Sequence, residues 1–114
     1  MGSVIVALDF PRGDEALSLV DDLGDAGTFY KVGLQLYTAE GPSVVQALKD
    51  RGKRVFLDLK LHDIPNTVAS GVRVASQLGV DFLTLHIVGG RAMLEAARDA
   101  AGETSLLGVT VLTS

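Results

Sequence analysis

The chain has 114 residues, a formal net charge of −4, 47% hydrophobic and 21% charged residues, which suits one small globular domain, and its 13 glycines among short apolar runs point to tight turns rather than disorder. It contains no cysteine, so disulfides, thiolate metal sites and cysteine nucleophiles are excluded, and a reducing cytoplasm is the expected location. The acidic balance disfavours broad nucleic-acid binding but leaves room for one phosphorylated small molecule, which needs only a few local cations. No apolar run approaches the ~20 residues that span a bilayer, and the opening "MGSVIVALDF" lacks the basic segment of a signal peptide, so no membrane association is expected.

In chain order, "VIVALD" (4–9) is an apolar strand ending in Asp9. Residues 14–24 have helical spacing at Ala16, Leu17, Val20 and Leu23, with acids at the start and Gly24 near the end. "FYKVGL" (29–34) reads as a second strand, with a loop after it. A helix is expected over 41–52, with Pro42 in its first turn and Gly52 after its end. "RVFLDLKL" (54–61) is a third strand, 65–78 a third helix closed by Gly79, and "DFLTLHIV" (81–88) a fourth strand. A fourth helix over 90–102 and a fifth strand over 106–112 complete the pattern.

Five strands alternating with four helices, at a period of roughly 25 residues, predict a parallel α/β sheet with right-handed crossovers. The first strand is followed by "DFPRGDE", which has neither the GxGxxG nor the Walker pattern expected of a nucleotide-binding open sheet. Polar residues instead recur at strand ends: Asp9, Lys31, Asp58, Lys60, His86 and Thr113. That fits a (β/α)8 barrel, whose chemistry collects at the C-terminal ends of its strands. A barrel needs eight strands, so residues 1–114 are expected to form a partial barrel domain of strands one to five, whose open edges invite pairing.

The stretch "FLDLKLHDIPNT" (56–67) carries the densest candidate chemistry. Period-two alternation places Asp58, Lys60 and His62 on one strand face and Leu57, Leu59 and Leu61 on the other. Charges on an inward face are costly unless paired, so Asp58 and Lys60 should neighbour each other or a ligand. A structural ion pair is the bland alternative. Asp63 precedes Pro65, so helix capping alone would account for it. Lys31 is isolated in "FYKVG" and could snorkel to solvent. Asp9 could be a turn residue, and His86 is as readily a core histidine as a catalytic one. Gly89-Gly90 fits a turn better than a phosphate cradle. Two histidines and no cysteine make a zinc site a poor fit, and no metal is expected.

"FLDLKLHDIPNTV" resembles the signature of the orotidine 5′-monophosphate decarboxylase family, D-x-K-x-x-D at the end of the third barrel strand. "VIVALDF", "YKVGLQLYTAEGP", "LHIVGG" and "GVTVLTS" are similar to its first, second, fourth and fifth strand segments, in order. Related sugar-phosphate decarboxylases and hexulose-phosphate synthases share D-x-K-x-x-D; "HDIPNT" is more specific to the orotidylate enzymes.

The resemblance implies decarboxylation of orotidine 5′-monophosphate to UMP without a cofactor, in pyrimidine biosynthesis. It implies that Lys60 protonates the pyrimidine C6, that Asp58 opposes the substrate carboxylate, and that Lys31 orders the charges and contacts the ribose. Asp9 would bind the sugar, and Thr113, with Ser114 beside it, would approach the pyrimidine. Asp63, Ile64 and Thr67 would reach a neighbouring subunit's site across a homodimer interface. The family's phosphate-binding elements belong to its C-terminal half, which these residues do not supply. The expectation is therefore little or no activity for the 114 residues alone. The competing expectations are another sugar-phosphate decarboxylase or aldolase using Lys60, and a non-catalytic half-barrel that associates through its edges.

Overall fold

A computed structural model describes residues 4–110. Five strands pair in sequence order, β1-β2-β3-β4-β5, and alternate with helices, the pattern of the first part of a (β/α)8 barrel. The chain divides into two compact units, Met1–Asp58 and Leu59–Ser114.

The first unit carries β1 (Ile5–Ala7), α1 (Gly13–Leu23), β2 (Phe29–Gly33), α2 (Leu34–Glu40), α3 (Pro42–Asp50) and most of β3 (Arg54–Leu61). Strands β1 and β2 pair in parallel with Ala7 opposite Lys31, and β2 pairs with β3 with Gly33 opposite Asp58. Helix α1 buries Ala16 and Val20 and places Asp14 and Glu15 in its first turn, where the helix dipole favours acids. Helix α3 buries Val44, Val45 and Leu48. Leu8, Tyr30, Val32, Leu36, Val55 and Leu57 are buried as well. The exposed Arg51 guanidinium grips Asp21 (Nε–Oδ1 2.8 Å) and holds that carboxyl below its usual range.

Helix α2 corrects the expectation of a loop after the second strand, and raises the helix count from four to five. "LQLYTAE" begins with apolar-polar-apolar alternation that imitates a continuing strand. Leu, Gln, Ala and Glu are nevertheless good helix formers. Leu36 is buried while Leu34 stays 64% exposed, so the alternation does not mark a sheet face. Gly41, at φ 67°, separates α2 from α3.

Tyr30 is fully buried, and its hydroxyl has no hydrogen-bond partner among the described residues. Burial, with the Asp21 charge adding to it, pushes the phenol upward. A side chain at Gly27 would collide with that hydroxyl. Gly27 has an ordinary extended backbone, so the cost of Gly27→Ala is steric, about 1–3 kcal/mol. Tyr30→Phe should be neutral or stabilising by up to about 1 kcal/mol, because it removes an unsatisfied buried hydroxyl. It should also recover part of the Gly27→Ala loss. A raised phenol favours the folded state below pH ~10 and loses that contribution as pH climbs further, so Tyr30→Phe should flatten the alkaline limb of stability. Denaturant midpoints of the three variants, at neutral pH and above pH ~10, check both statements.

The second unit carries the end of β3, then α4 (Pro65–Gln77), β4 (Phe82–His86), α5 (Arg91–Ala100) and β5 (Ser105–Val109). Helix α4 buries Val68, Val72 and Ala75, α5 buries Met93 and Ala97, and the two helices pack together. Strands β4 and β5 pair in parallel with Thr84 opposite Leu107. Left-handed Gly79 closes α4, with Val80 N–H donating to the Ala75 carbonyl at 3.2 Å.

Several boundaries differ from expectation. Strand β1 covers only residues 5–7, although Leu8 N–H still donates to the Lys31 carbonyl (2.9 Å). Strand β4 stops at His86 because Ile87–Gly89 tighten into a 3-10 turn. The fifth strand spans 105–109, and the remainder of "GVTVLTS" from residue 111 lies outside the described residues. Among the described residues no helix is long and apolar enough to cross a membrane.

Candidate active site

In the first unit, Lys31 from the middle of β2 reaches along the sheet toward Asp58 on β3. Its Nζ lies 3.9 Å from Asp58 Oδ2. The two side chains are 34% and 14% exposed, respectively, so this is a half-buried ion pair rather than a solvated surface contact. Lys31 therefore does not simply snorkel into solvent. Asp9 is exposed, two residues beyond the end of β1.

In the second unit, the backbone at Lys60 is unusual. Its φ is +51°, and it is the one non-glycine among the described residues with positive φ. Left-handed backbone costs a residue with a Cβ about 1–2 kcal/mol and tends to persist where surrounding structure imposes it, often at functional sites. The Lys60 N–H donates to Thr84 Oγ1 at 3.0 Å.

This corrects the reading of β3 as an unbroken alternation. The period-two argument holds through Val55 and Leu57, both buried, but the reversal of φ interrupts it at Lys60. His62 lies beyond the strand end and is exposed. Its ring sits 5.7 Å from that of His86, tilted by 54°. Leu61 lies against α4, where a Cβ at Gly71 would meet it at 3.8 Å.

Capping does not account for Asp63. The residue before α4 is Ile64, which makes no side-chain cap, and the Ile64 N–H donates to Asp63 Oδ1 at 2.7 Å. Asp63, Ile64 and Thr67 are all exposed, Ile64 at 65%. An open depression lined by His62, Asp63, Ile64, Pro65 and Gly89 lies at this end of the unit. Gly90 adopts φ 92°, which supports the turn reading of Gly89-Gly90. Thr113 and Ser114 lie outside the described residues.

Sequence reasoning missed Thr84. Threonine is an ordinary strand residue, and "FLTLH" gives no sign that its hydroxyl serves a neighbouring backbone. The available signal was a polar residue in the middle of a mainly apolar strand.

A family model described as Orotidine 5′-phosphate decarboxylase / HUMPS family matches residues 2–114. A curated orotidine 5′-phosphate decarboxylase from Nostoc sp. is 49% identical, over 97% of this chain and 50% of its own length. One from Alkalilimnicola ehrlichii is 52% identical, over 97% of this chain and 49% of its own length. Among solved structures, the orotidine 5′-phosphate decarboxylase of Lactobacillus acidophilus superposes with a TM-score of 0.88 at 39% identity, covering 96% of this chain and 53% of that one. The Methanocaldococcus jannaschii orotidine 5′-monophosphate decarboxylase, complexed with inhibitor BMP, gives 0.87 at 28% identity, covering 96% and 52%. The chain spans about half the length of the curated relatives it matches.

Proposed function

The chain belongs to the Orotidine 5′-phosphate decarboxylase / HUMPS family, and we propose that it carries the charged part of an active site that decarboxylates orotidine 5′-monophosphate to UMP. The observation that carries this reading is the half-buried Lys31–Asp58 pair in a chain whose "DLKLHDIPNT" continues directly to Lys60. Such an array is costly to a core and useful to a reaction.

Loss of CO2 from C6 of the pyrimidine leaves a carbanion. The Lys60 ammonium stabilises that developing charge and delivers the proton that ends the reaction. Asp58 opposes the departing carboxylate, and it is relieved as that group leaves neutral. Lys31 orders Asp58 and contacts the ribose, while Asp9 binds the sugar. Thr113 contributes to the pyrimidine side. Asp63, Ile64 and Thr67 complete the site of a second copy in a homodimer, for which their exposure is suitable. No step calls on a cofactor or metal, and the cytoplasm is the compartment for this chemistry.

Binding at the nucleotide phosphate helps hold the pyrimidine in the charged array, and the reading assigns that grip to strands six to eight. The 114 residues form the first part of the domain, with little or no turnover alone. The test is loss of pyrimidine absorbance on incubation with orotidine 5′-monophosphate, with and without a fragment supplying strands six to eight. Turnover that requires the fragment supports the reading. No turnover in either case, together with a discrete dimer in light scattering, would replace it with a non-catalytic half-barrel.

A further inference from the structure

We infer that Thr84 is a positioning residue for Lys60: its buried hydroxyl captures the Lys60 N–H and so fixes the direction in which the ammonium is presented. The inference rests on the proposed role of Lys60 for its catalytic consequence, but its structural part stands independently.

In a regular parallel strand φ is near −120°, and the N–H joins the ladder to a neighbouring carbonyl. At Lys60 φ is +51°. Rotation of that size about N–Cα swings the side chain to a new direction relative to its own peptide plane. Holding the plane therefore aims the side chain. The hold on the N–H is a side chain: Thr84 Oγ1, 3.0 Å away.

Thr84 is suited to this. It lies in the middle of β4, is 4% exposed, and its neighbours Leu83 and Leu85 are buried with it. Its β-branched side chain is stiff about χ1, so the hydroxyl is held where the kink needs an acceptor. A valine there would keep shape and strand propensity while withdrawing the acceptor. The left-handed Lys60 backbone would then keep its steric penalty and lose a partner for its N–H. Preorganisation of the ammonium, on which electrostatic catalysis depends, would be lost with it.

The test compares Thr84→Val with Thr84→Ser, which retains the acceptor. In the 114-residue chain, amide exchange at Lys60 should quicken by about tenfold or more in Thr84→Val. Exchange at Val55 and Leu83 should hold, and Thr84→Ser should resemble the parent chain. In the chain completed by strands six to eight, Thr84→Val should lower kcat about tenfold to a hundredfold with KM nearly unchanged, and Thr84→Ser should restore most of it. If valine unfolds the chain, Thr84→Ala replaces it in both arms. Lys60 exchange as slow in the variant as in the parent, or serine behaving as valine does, would overturn the inference. Full turnover in Lys60→Ala would instead defeat the proposed function, and the exchange measurement would still judge Thr84.

Discussion

Lys60→Ala should lower decarboxylation of orotidine 5′-monophosphate by the completed chain by at least about 10⁴-fold, from two losses at one atom. Removing a fixed group that stabilises developing charge costs about 10²–10³ in rate. Removing a positioned proton donor costs about 10²–10⁴. The ammonium does both at C6, so even the lower values multiply to about 10⁴. Lys60→Gly should be equally inactive yet fold more stably than Lys60→Ala, by about 1 kcal/mol. Glycine adopts φ +51° without a Cβ clash, and that relief exceeds its extra chain entropy. Denaturant unfolding of the pair reads the difference, and equal stabilities would mean that the left-handed backbone at Lys60 is not strained. The same comparison shows whether activity is lost through chemistry rather than through folding.

Asp58→Ala should produce a different kinetic signature. Its carboxylate faces the Lys31 ammonium at 3.9 Å in a half-buried setting. Losing it frees Lys31 from its partner and relaxes the repulsion that a bound substrate carboxylate would meet. The first effect slows the chemical step; the second lets the ground state bind more comfortably. Expected together are a fall in kcat of about 10²-fold or more and a KM that stays level or drops. Steady-state kinetics across a range of orotidine 5′-monophosphate concentrations separate the two constants. A raised KM with kcat intact would reduce Asp58 to a binding residue and remove electrostatic opposition from the mechanism.

Much of this architecture could be read from residue spacing. Short apolar runs mark the five strands and helically spaced Val, Leu and Ala four of the helices, and β3 occurs at Arg54–Leu61 as read from the sequence. Pro65 fixes the start of α4 because proline suits the first helical turn. Helix α2 was hidden because "LQLYTAE" opens with a strand-like alternation, and seven residues are too few for a helical period to declare itself.

The site was legible as residue types but not as geometry. The charges of "LDLKLHD" stand out in an apolar chain, yet Asp58 pairs with Lys31, 27 positions earlier, which only strand pairing could bring near. A left-handed lysine has no sequence signature, since lysine is not a residue that favours that region. The Thr84 hydroxyl was silent for the same reason: its task exists only once the neighbouring strand has kinked.

On the proposed reading, Lys60 supplies the proton in a decarboxylation that also needs strands six to eight. Release of CO2 from carboxylate-labelled orotidine 5′-monophosphate decides this, measured for the chain, for a fragment supplying strands six to eight, and for their mixture. Release is expected from the mixture alone, and it should be abolished by Lys60→Ala in the 114-residue partner. Release that survives Lys60→Ala would rule out Lys60 as the proton donor.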